Sequence, residues 1–287
     1  MTEMKLAAIV VWFKPDVQSV AANILSYIND VDKLLIYQNS DIGPDEIQIL
    51  DAYQHKIELL GDGRNIGIAA ALNAGANWAM IHNYSHLLTL DQDSYFPDGH
   101  LCRFKSLVLG MNLPNAGIFC ANPDNRGKLT FISQEPYLDV PDSITSGSIF
   151  PTKVFESCGL FEAALFIDAV DYEYCYRLKS RYGLSTIVFP DIVLKHEVGY
   201  PTKINLGLTT DNYTAFRTYF IIRNHITIWK RYPKLFQPAY KKTLIKIHIT
   251  YRLAKIVIGE ENKISKIRAI VIGMFHGFSG RTGYYKI

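Results

Sequence analysis

A chain of 287 residues, 48% hydrophobic and 13% aromatic, can bury a sizeable core as one large domain or as a domain with an appendage. A formal net charge of +3 is too small to mark a nucleic-acid binder by itself, and four scattered cysteines lack metal-ligand spacing and imply no disulfide framework. Cys102, Cys120, Cys158 and Cys175 read as small buried residues of a reducing compartment. With no basic stretch, apolar region and cleavage site at the amino terminus, and with Ala7 to Phe13 too short to cross a bilayer, the expected location is cytoplasmic.

Lys5 to Phe13 is a continuous apolar run ending at Lys14-Pro15, which suits a central parallel strand covered on both faces. Asp16 is a plausible cap for a helix with Val17, Val20, Ile24 and Ile28 at helical spacing. A second strand, Lys33 to Tyr37, stops in Gln38-Asn39-Ser40, and Asp45 to Tyr53 looks helical. Ile57 to Leu60 is a short third strand. The turn-rich Gly61 to Gly67 then leads into an alanine-rich helix, Ile68 to Ala79, whose amino terminus could favour a phosphate.

The fourth strand, Leu87-Leu88-Thr89-Leu90, delivers Asp91-Gln92-Asp93-Ser94. In extended backbone, residues two apart point the same way, roughly 7 Å apart, so both acids face one ligand at the strand's carboxyl end, where open α/β sheets bind ligands. Two acids that close repel each other. A divalent cation with its own anionic partner, such as a diphosphate, keeps both ionised, whereas the plain alternative is a solvated Asp-rich turn. This β-α-β-α-β-α-β order predicts a parallel, doubly wound sheet. A dinucleotide-binding reading fails, because no Gly-X-Gly-X-X-Gly follows the first strand.

In the second half, Ala116 to Ala121 and Thr145 to Phe150 read as strands. The small residues around Gly147 would let an acceptor approach the backbone closely. A second acidic cluster, Asp168, Asp171 and Glu173, lies at the start of a helix over Tyr172 to Arg181. The acids either cap that helix or meet an acceptor, and Asp171 at the helix start is stabilised by the dipole. Thr186 to Pro190 is the last strand, followed by Lys195-His196-Glu197-Val198-Gly199. His196 is open between a hydrogen-bonded structural role and a metal ligand.

The ordered set Asn65-Ile66-Gly67-Ile68-Ala69-Ala70-Ala71-Leu72-Asn73, Leu90-Asp91-Gln92-Asp93-Ser94, Phe166-Ile167-Asp168-Ala169-Val170-Asp171-Tyr172-Glu173 with Arg177, Lys195 to Gly199, Tyr219 to Asn224 and Gly273 to Gly277 resembles the family 2 glycosyltransferases of the GT-A fold, in their bacterial rhamnosyltransferase-like branch. The resemblance spans nearly the whole chain. It implies a Rossmann-like, mostly parallel sheet with helices on both faces in residues 1–212, with a nucleotide-binding half over 1–98 and an acceptor half over 99–212. A helical extension over 213–287 follows.

The resemblance further implies that Trp12, Phe13, Pro15, Asn39, Arg64, Asn65 and Asp91 line the nucleotide site. Asp93, with His196 as a further ligand, would hold Mg²⁺ or Mn²⁺ on the donor diphosphate. Asp171 would be the base that deprotonates the acceptor hydroxyl, and Asp168, Glu173 and Gly147 are candidate acceptor contacts. The implied activity is inverting transfer of a sugar, rhamnose from dTDP-rhamnose or a hexose from a UDP donor, to a lipid-linked saccharide or growing surface polysaccharide such as O-antigen. Gln38 stands where the branch commonly has aspartate, which leaves the nucleotide base open.

Chemically, the metal screens the departing diphosphate while a carboxylate on the opposite face takes the proton. The same acids would suit a glycosidase, but a hydrolase has no need of a metal-diphosphate site. A non-catalytic sugar-nucleotide-binding subunit of an assembly complex is the alternative from another class. From Tyr213 onward, basic amphipathic stretches have two readings: helices packed on the core or on a second subunit of a homodimer, or a peripheral contact with anionic lipid on the inner face of the cytoplasmic membrane.

Overall fold

The computed structural model describes residues 4–43, 48–196, 202–203 and 209–287. Strands β1 (Leu6–Trp12), β2 (Lys33–Gln38), β3 (Ile57–Leu60) and β4 (His86–Asp91) pair in the order β3-β2-β1-β4, all parallel. Helices α1 (Val17–Leu25) and α2 (Ile68–Ile81) lie in the crossovers β1 to β2 and β3 to β4. The β2 to β3 crossover holds a 3₁₀ helix, Gln48–Lys56, and the expected helix start at Asp45 lies outside the described residues.

Every residue of β1 is buried, because the strand has cover on both faces. Leu6, Ala8, Val10 and Trp12 enter a core with Val20 and Ile24 of α1 and with Leu101, Phe104 and Val108 of α3 (His100–Gly110). On the other face α2 presses against Ile9. A Cβ at Gly75 would stand 2.3 Å from Ile9 Cδ1, so glycine sets how closely this alanine-rich helix approaches the sheet.

The β-α-β-α-β-α-β half is parallel as expected, and beyond β4 the sheet is mixed. β9 (Ser148–Pro151) inserts antiparallel between β4 and β6 (Ala116–Asn125). The long β10 (Ser185–His196) runs parallel to β6 and carries the short β5 (Ser94–Tyr95) antiparallel on its far side. β7 (Lys128–Leu129) and β8 (Leu138–Val140) pair with β6 and β10. β10 continues past Pro190 through a register shift between Phe189 and Val193, so it reaches His196, six residues beyond the expected strand end. Cys102 is exposed, contrary to expectation, whereas Cys120, Cys158 and Cys175 are buried; all four are free.

The chain divides into two compact units: Met1–Phe161 with Arg177–Val198, and Glu162–Tyr176 with Gly199–Ile287. The second unit contains α5 (Val170–Arg177, its last residue excepted), α6 (Ala215–Arg231), α7 (Pro238–Thr243), α8 (Arg252–Gly259) and α9 (Lys263–Ser279), with α4 (Thr152–Cys158) in the first. A π-helical stretch, Leu244–Tyr251, joins α7 to α8. Helices α6 and α9 pack through Gly273 and Gly277. A Cβ at Gly277 would stand 2.8 Å from Ile226 Cβ, so the Gly-X-X-X-Gly spacing exists to let two helices touch. No helix among the described residues is long and apolar enough to cross a membrane.

Candidate functional site

The carboxyl ends of β1, β2 and β4 form one edge, fastened by side chains of the loops that leave it. Ser40 Oγ accepts from Lys14 N at 2.7 Å, and Asn39 Oδ1 accepts from Ile66 N at 2.9 Å. Gln92, the middle residue of the acidic motif, accepts from Phe13 N through Oε1 at 2.8 Å and donates through Nε2 to Phe13 O at 3.3 Å. Its own carbonyl accepts from Asn23 Nδ2 at 3.0 Å. The turn between the two aspartates is therefore tied to β1 and α1, which fixes where both carboxylates start.

Strand pairing supplies the third group. His196 of β10 stands opposite Ser94 of β5, so Asp91, Asp93 and His196 meet with ligand-capable atoms all within 4.8 Å of one another. His196 Nδ1 lies 3.2 Å from Asp93 Oδ1 and Nε2 lies 4.0 Å from Asp91 Oδ2. Burial opposes a charged imidazole, but the Asp93 and Asp91 carboxylates outweigh it and raise the His196 pKa above its ordinary value.

Two serines hold the ring. Asp91 N donates to Ser146 Oγ at 3.0 Å, Ser146 Oγ donates to Ser94 Oγ at 2.8 Å, and Ser94 Oγ lies 2.9 Å from His196 Nδ1. With the proton on Nδ1, Ser94 accepts it and Nε2 presents a lone pair, which is how a metal-binding histidine is oriented. Asp93 Oδ1 is buried with no hydrogen-bond partner. Nε2, the nitrogen left free, lies 4.0 Å from Asp91 Oδ2, and the ligand-capable atoms of the three residues all lie within 4.8 Å of one another, a span one divalent cation can bridge. The set therefore fits a divalent cation through Asp93 and His196, with Asp91 beside them. Ser94 and Ser146 were not singled out from sequence. Only the adjacency of Ser94 to Asp93 pointed to it.

The remaining nucleotide candidates differ in access. Phe13 is exposed and Pro15 half-buried, whereas Trp12 is fully buried in the core, so its side chain packs there rather than lining an open surface. Asn39 is buried and occupied by the loop. Arg64 and Asn65 are exposed, with Arg64 paired to Asp62 at 2.7 Å and Asn65 Oδ1 accepting from Gly67 N at 3.0 Å. Gly147 has a packing explanation: its φ is +72° and a Cβ would stand 2.7 Å from Leu194 Cδ2.

Two other motif residues serve the same segment of the first unit. Asn73 donates to Phe161 O at 2.8 Å and accepts from Phe161 N at 2.9 Å. Arg177 donates to Cys158 O at 2.8 Å and to Leu160 O at 2.6 Å. Both side chains clamp backbone.

In the second unit, Phe166, Asp168 and Ala169 all have positive φ, a conformation L residues avoid, so an outside clamp must hold the loop before α5. Asn224 Nδ2 donates to the carbonyls of Leu165, Ile167 and Asp168 at 2.7–2.9 Å, and Arg223 Nη2 donates to those of Ala164 and Leu165 at 3.1 Å. That loop delivers Asp171 into the first turn of α5, where its Oδ1 accepts from Tyr172 N at 2.9 Å. Asp168 pairs with Arg217 at 3.3 Å and leaves Oδ2 buried without a hydrogen-bond partner. Burial raises its pKa against the opposing charges of Arg217 and His225. Glu173 is buried, accepting from Tyr232 OH at 2.9 Å with Arg231 at 3.5 Å, which gives it a structural ion pair.

No family model matches the sequence. The chain is 24% identical over 291 residues, covering 96% of each chain, to the dTDP-rhamnosyl transferase RfbF of Shigella flexneri. Among solved structures it is similar to residues 1–349 of S. aureus TarS, with a TM-score of 0.56 and 11% identity over 99% of this chain and 93% of that one. It is also similar to GalNAc-T7 with UDP, GalNAc and Mn²⁺, with a TM-score of 0.62 and 12% identity over 92% of this chain, which spans 54% of that structure. The strand order and the likeness to these solved structures together give the chain the GT-A glycosyltransferase fold.

Proposed function

We propose that this chain is an inverting glycosyltransferase that moves a sugar from a nucleoside diphosphate donor to a hydroxyl of a lipid-linked or surface glycan. The observation that carries the reading is the Asp91, Asp93 and His196 cluster at the carboxyl edge of the sheet, with its unpartnered Asp93 oxygen and its histidine held by Ser94. The RfbF likeness favours dTDP-rhamnose as donor, with a UDP-hexose as the competing choice. Asp93 and His196 would hold Mg²⁺ or Mn²⁺, which when bound offsets the charge of the departing diphosphate. Phe13, Pro15, Arg64 and Asn65 stand at or next to the same edge for the nucleoside.

Asp171 is assigned as the base. Its carboxylate accepts the proton of the acceptor hydroxyl while that oxygen forms a bond to the anomeric carbon and the bond to the diphosphate breaks. One displacement inverts the centre, and no sugar-enzyme intermediate is needed. Asp171→Asn tests the assignment. We expect kcat to fall about 10²- to 10⁴-fold with nucleotide affinity unchanged. Wild-type turnover by that variant would remove the base assignment, and donor binding by the wild type without transfer to any glycan would favour a sugar-nucleotide-binding subunit instead.

A further inference from the structure

Charge is distributed unevenly along this chain. Residues 213–287 contain fifteen lysines and arginines against two glutamates, a net +13, which leaves −10 on residues 1–212. The near-neutral total conceals a strongly cationic carboxyl-terminal segment. Both glutamates fall at 260 and 261, and Glu260 is fully buried between Arg252 at 2.5 Å and Lys266 at 2.8 Å. The exposed charge of the segment is therefore almost wholly positive.

Helix α9 presents an apolar seam in this setting. Its inward face, Lys266, Ala269, Ile270, Gly273, His276 and Gly277, is buried, and the two glycines seat it against α6. Its outward face repeats at steps of four, three, four and three: Ile264, Arg268, Val271, Phe275, Phe278, all exposed, with Ile264 at 85% and Phe275 at 69%. The seam runs about 21 Å along a helix of 17 residues, too short to span a bilayer but suited to lying on one. The segment before it adds exposed Ile245, Ile247, Tyr251 and Val257 among Lys242, Lys246 and Lys255.

We propose that the outward face of α9 docks on an anionic lipid surface, with Phe275 and Phe278 entering the headgroup boundary and Lys263 and Arg268 meeting lipid phosphates. A second copy of this chain fits the seam less well, since two such segments would bring together +13 and +13. Anionic lipid complements both the apolar stripe and the charge.

The test is flotation of the full chain with phosphatidylcholine vesicles with and without about 30 mol % phosphatidylglycerol, where each basic group near the surface is worth about fivefold in partitioning. We expect binding to the anionic vesicles at low salt, loss at high salt, and at least about tenfold weaker binding for F275S/F278S at unchanged melting temperature. Arg268→Glu, which alters charge but not the aromatic pair, should also weaken binding. No flotation at low salt, or flotation of F275S/F278S equal to wild type, overturns the proposal. So does a dimer in solution that F275S/F278S dissociates while vesicle binding persists. Nucleotide binding should be the same in both chains, so this result stands apart from the proposed transfer chemistry.

Discussion

At the scale of single residues, the site is defined by what its side chains lack as much as by what they contact. Asp93 Oδ1 is buried, makes no regular hydrogen bond and has only His196 Nδ1, at 3.2 Å, to offset its charge, which leaves it favourable to a bound cation. Ser94 acts through His196, which makes it a positioning residue. For Ser94→Ala we expect Mn²⁺ affinity to fall about 10- to 100-fold while kcat at saturating metal returns close to wild type. Calorimetric titration of Mn²⁺ alongside turnover at several metal concentrations checks the split, and an equal fall in kcat at saturation would contradict it. The two aspartates stood out in the sequence because i, i+2 spacing at the end of an apolar strand turns both carboxylates the same way, although a solvated turn carries the same pattern. The serine relay was not, because it depends on strand pairing between residues 102 positions apart. Trp12, Asn39 and Glu173 sit in motifs and are buried: Trp12 is held by packing, Asn39 by the backbone of Ile66, and Glu173 by the Tyr232 hydroxyl and Arg231.

At the scale of elements, the motif over Tyr219 to Asn224 acquires a physical purpose. Its Asn224 clamps a loop in which three non-glycine residues are held at positive φ ahead of Asp171. Asn224→Ala removes donors from three carbonyls at a cost of about 1–3 kcal/mol. We expect a lower melting temperature and a more than tenfold loss of kcat with nucleotide affinity retained, and unchanged kcat would separate the clamp from the chemistry. Apolar runs and the alternation of strand and helix gave away the first four strands and their parallel order. The antiparallel entry of β9 carried no comparable signal, because Ser148–Pro151 is short and fully buried and reads alike in either direction. The extension of β10 past Pro190 was hidden by the proline, which the strand accommodates through a register shift.

At the scale of the whole molecule, stability should depend on pH through two half-buried histidines. Burial, with a smaller effect from Lys153, pushes the His86 pKa down to about 4, and burial pushes that of His248 down to about 4 as well. Both are neutral in the fold, while the unfolded chain takes up protons near pH 6.5. Stability is then full above about pH 6.5, falls as pH drops toward 4 and loses nothing further from these groups below that, with up to about 3 kcal/mol at stake for His86. Melting temperatures from pH 4 to 7 should show a shallower slope for His86→Gln, and an unchanged slope would deny His86 this part. Composition disclosed a chain of near-neutral total charge, and only the division of that charge along its length separates a cationic helical segment from an acidic remainder.

The central claim is that Asp93 and His196, with Asp91 beside them, hold a divalent cation that in turn holds a nucleoside diphosphate. Calorimetric titration of dTDP and of UDP into the wild type and Asp93→Asn, each with Mn²⁺ and with EDTA, tests it most directly. The account predicts binding of one nucleotide by the wild type that weakens about 100-fold or more when metal is removed, and an Asp93→Asn variant for which metal makes no difference. Equal affinity of the wild type with and without metal, or full metal-dependent binding by Asp93→Asn, would contradict it.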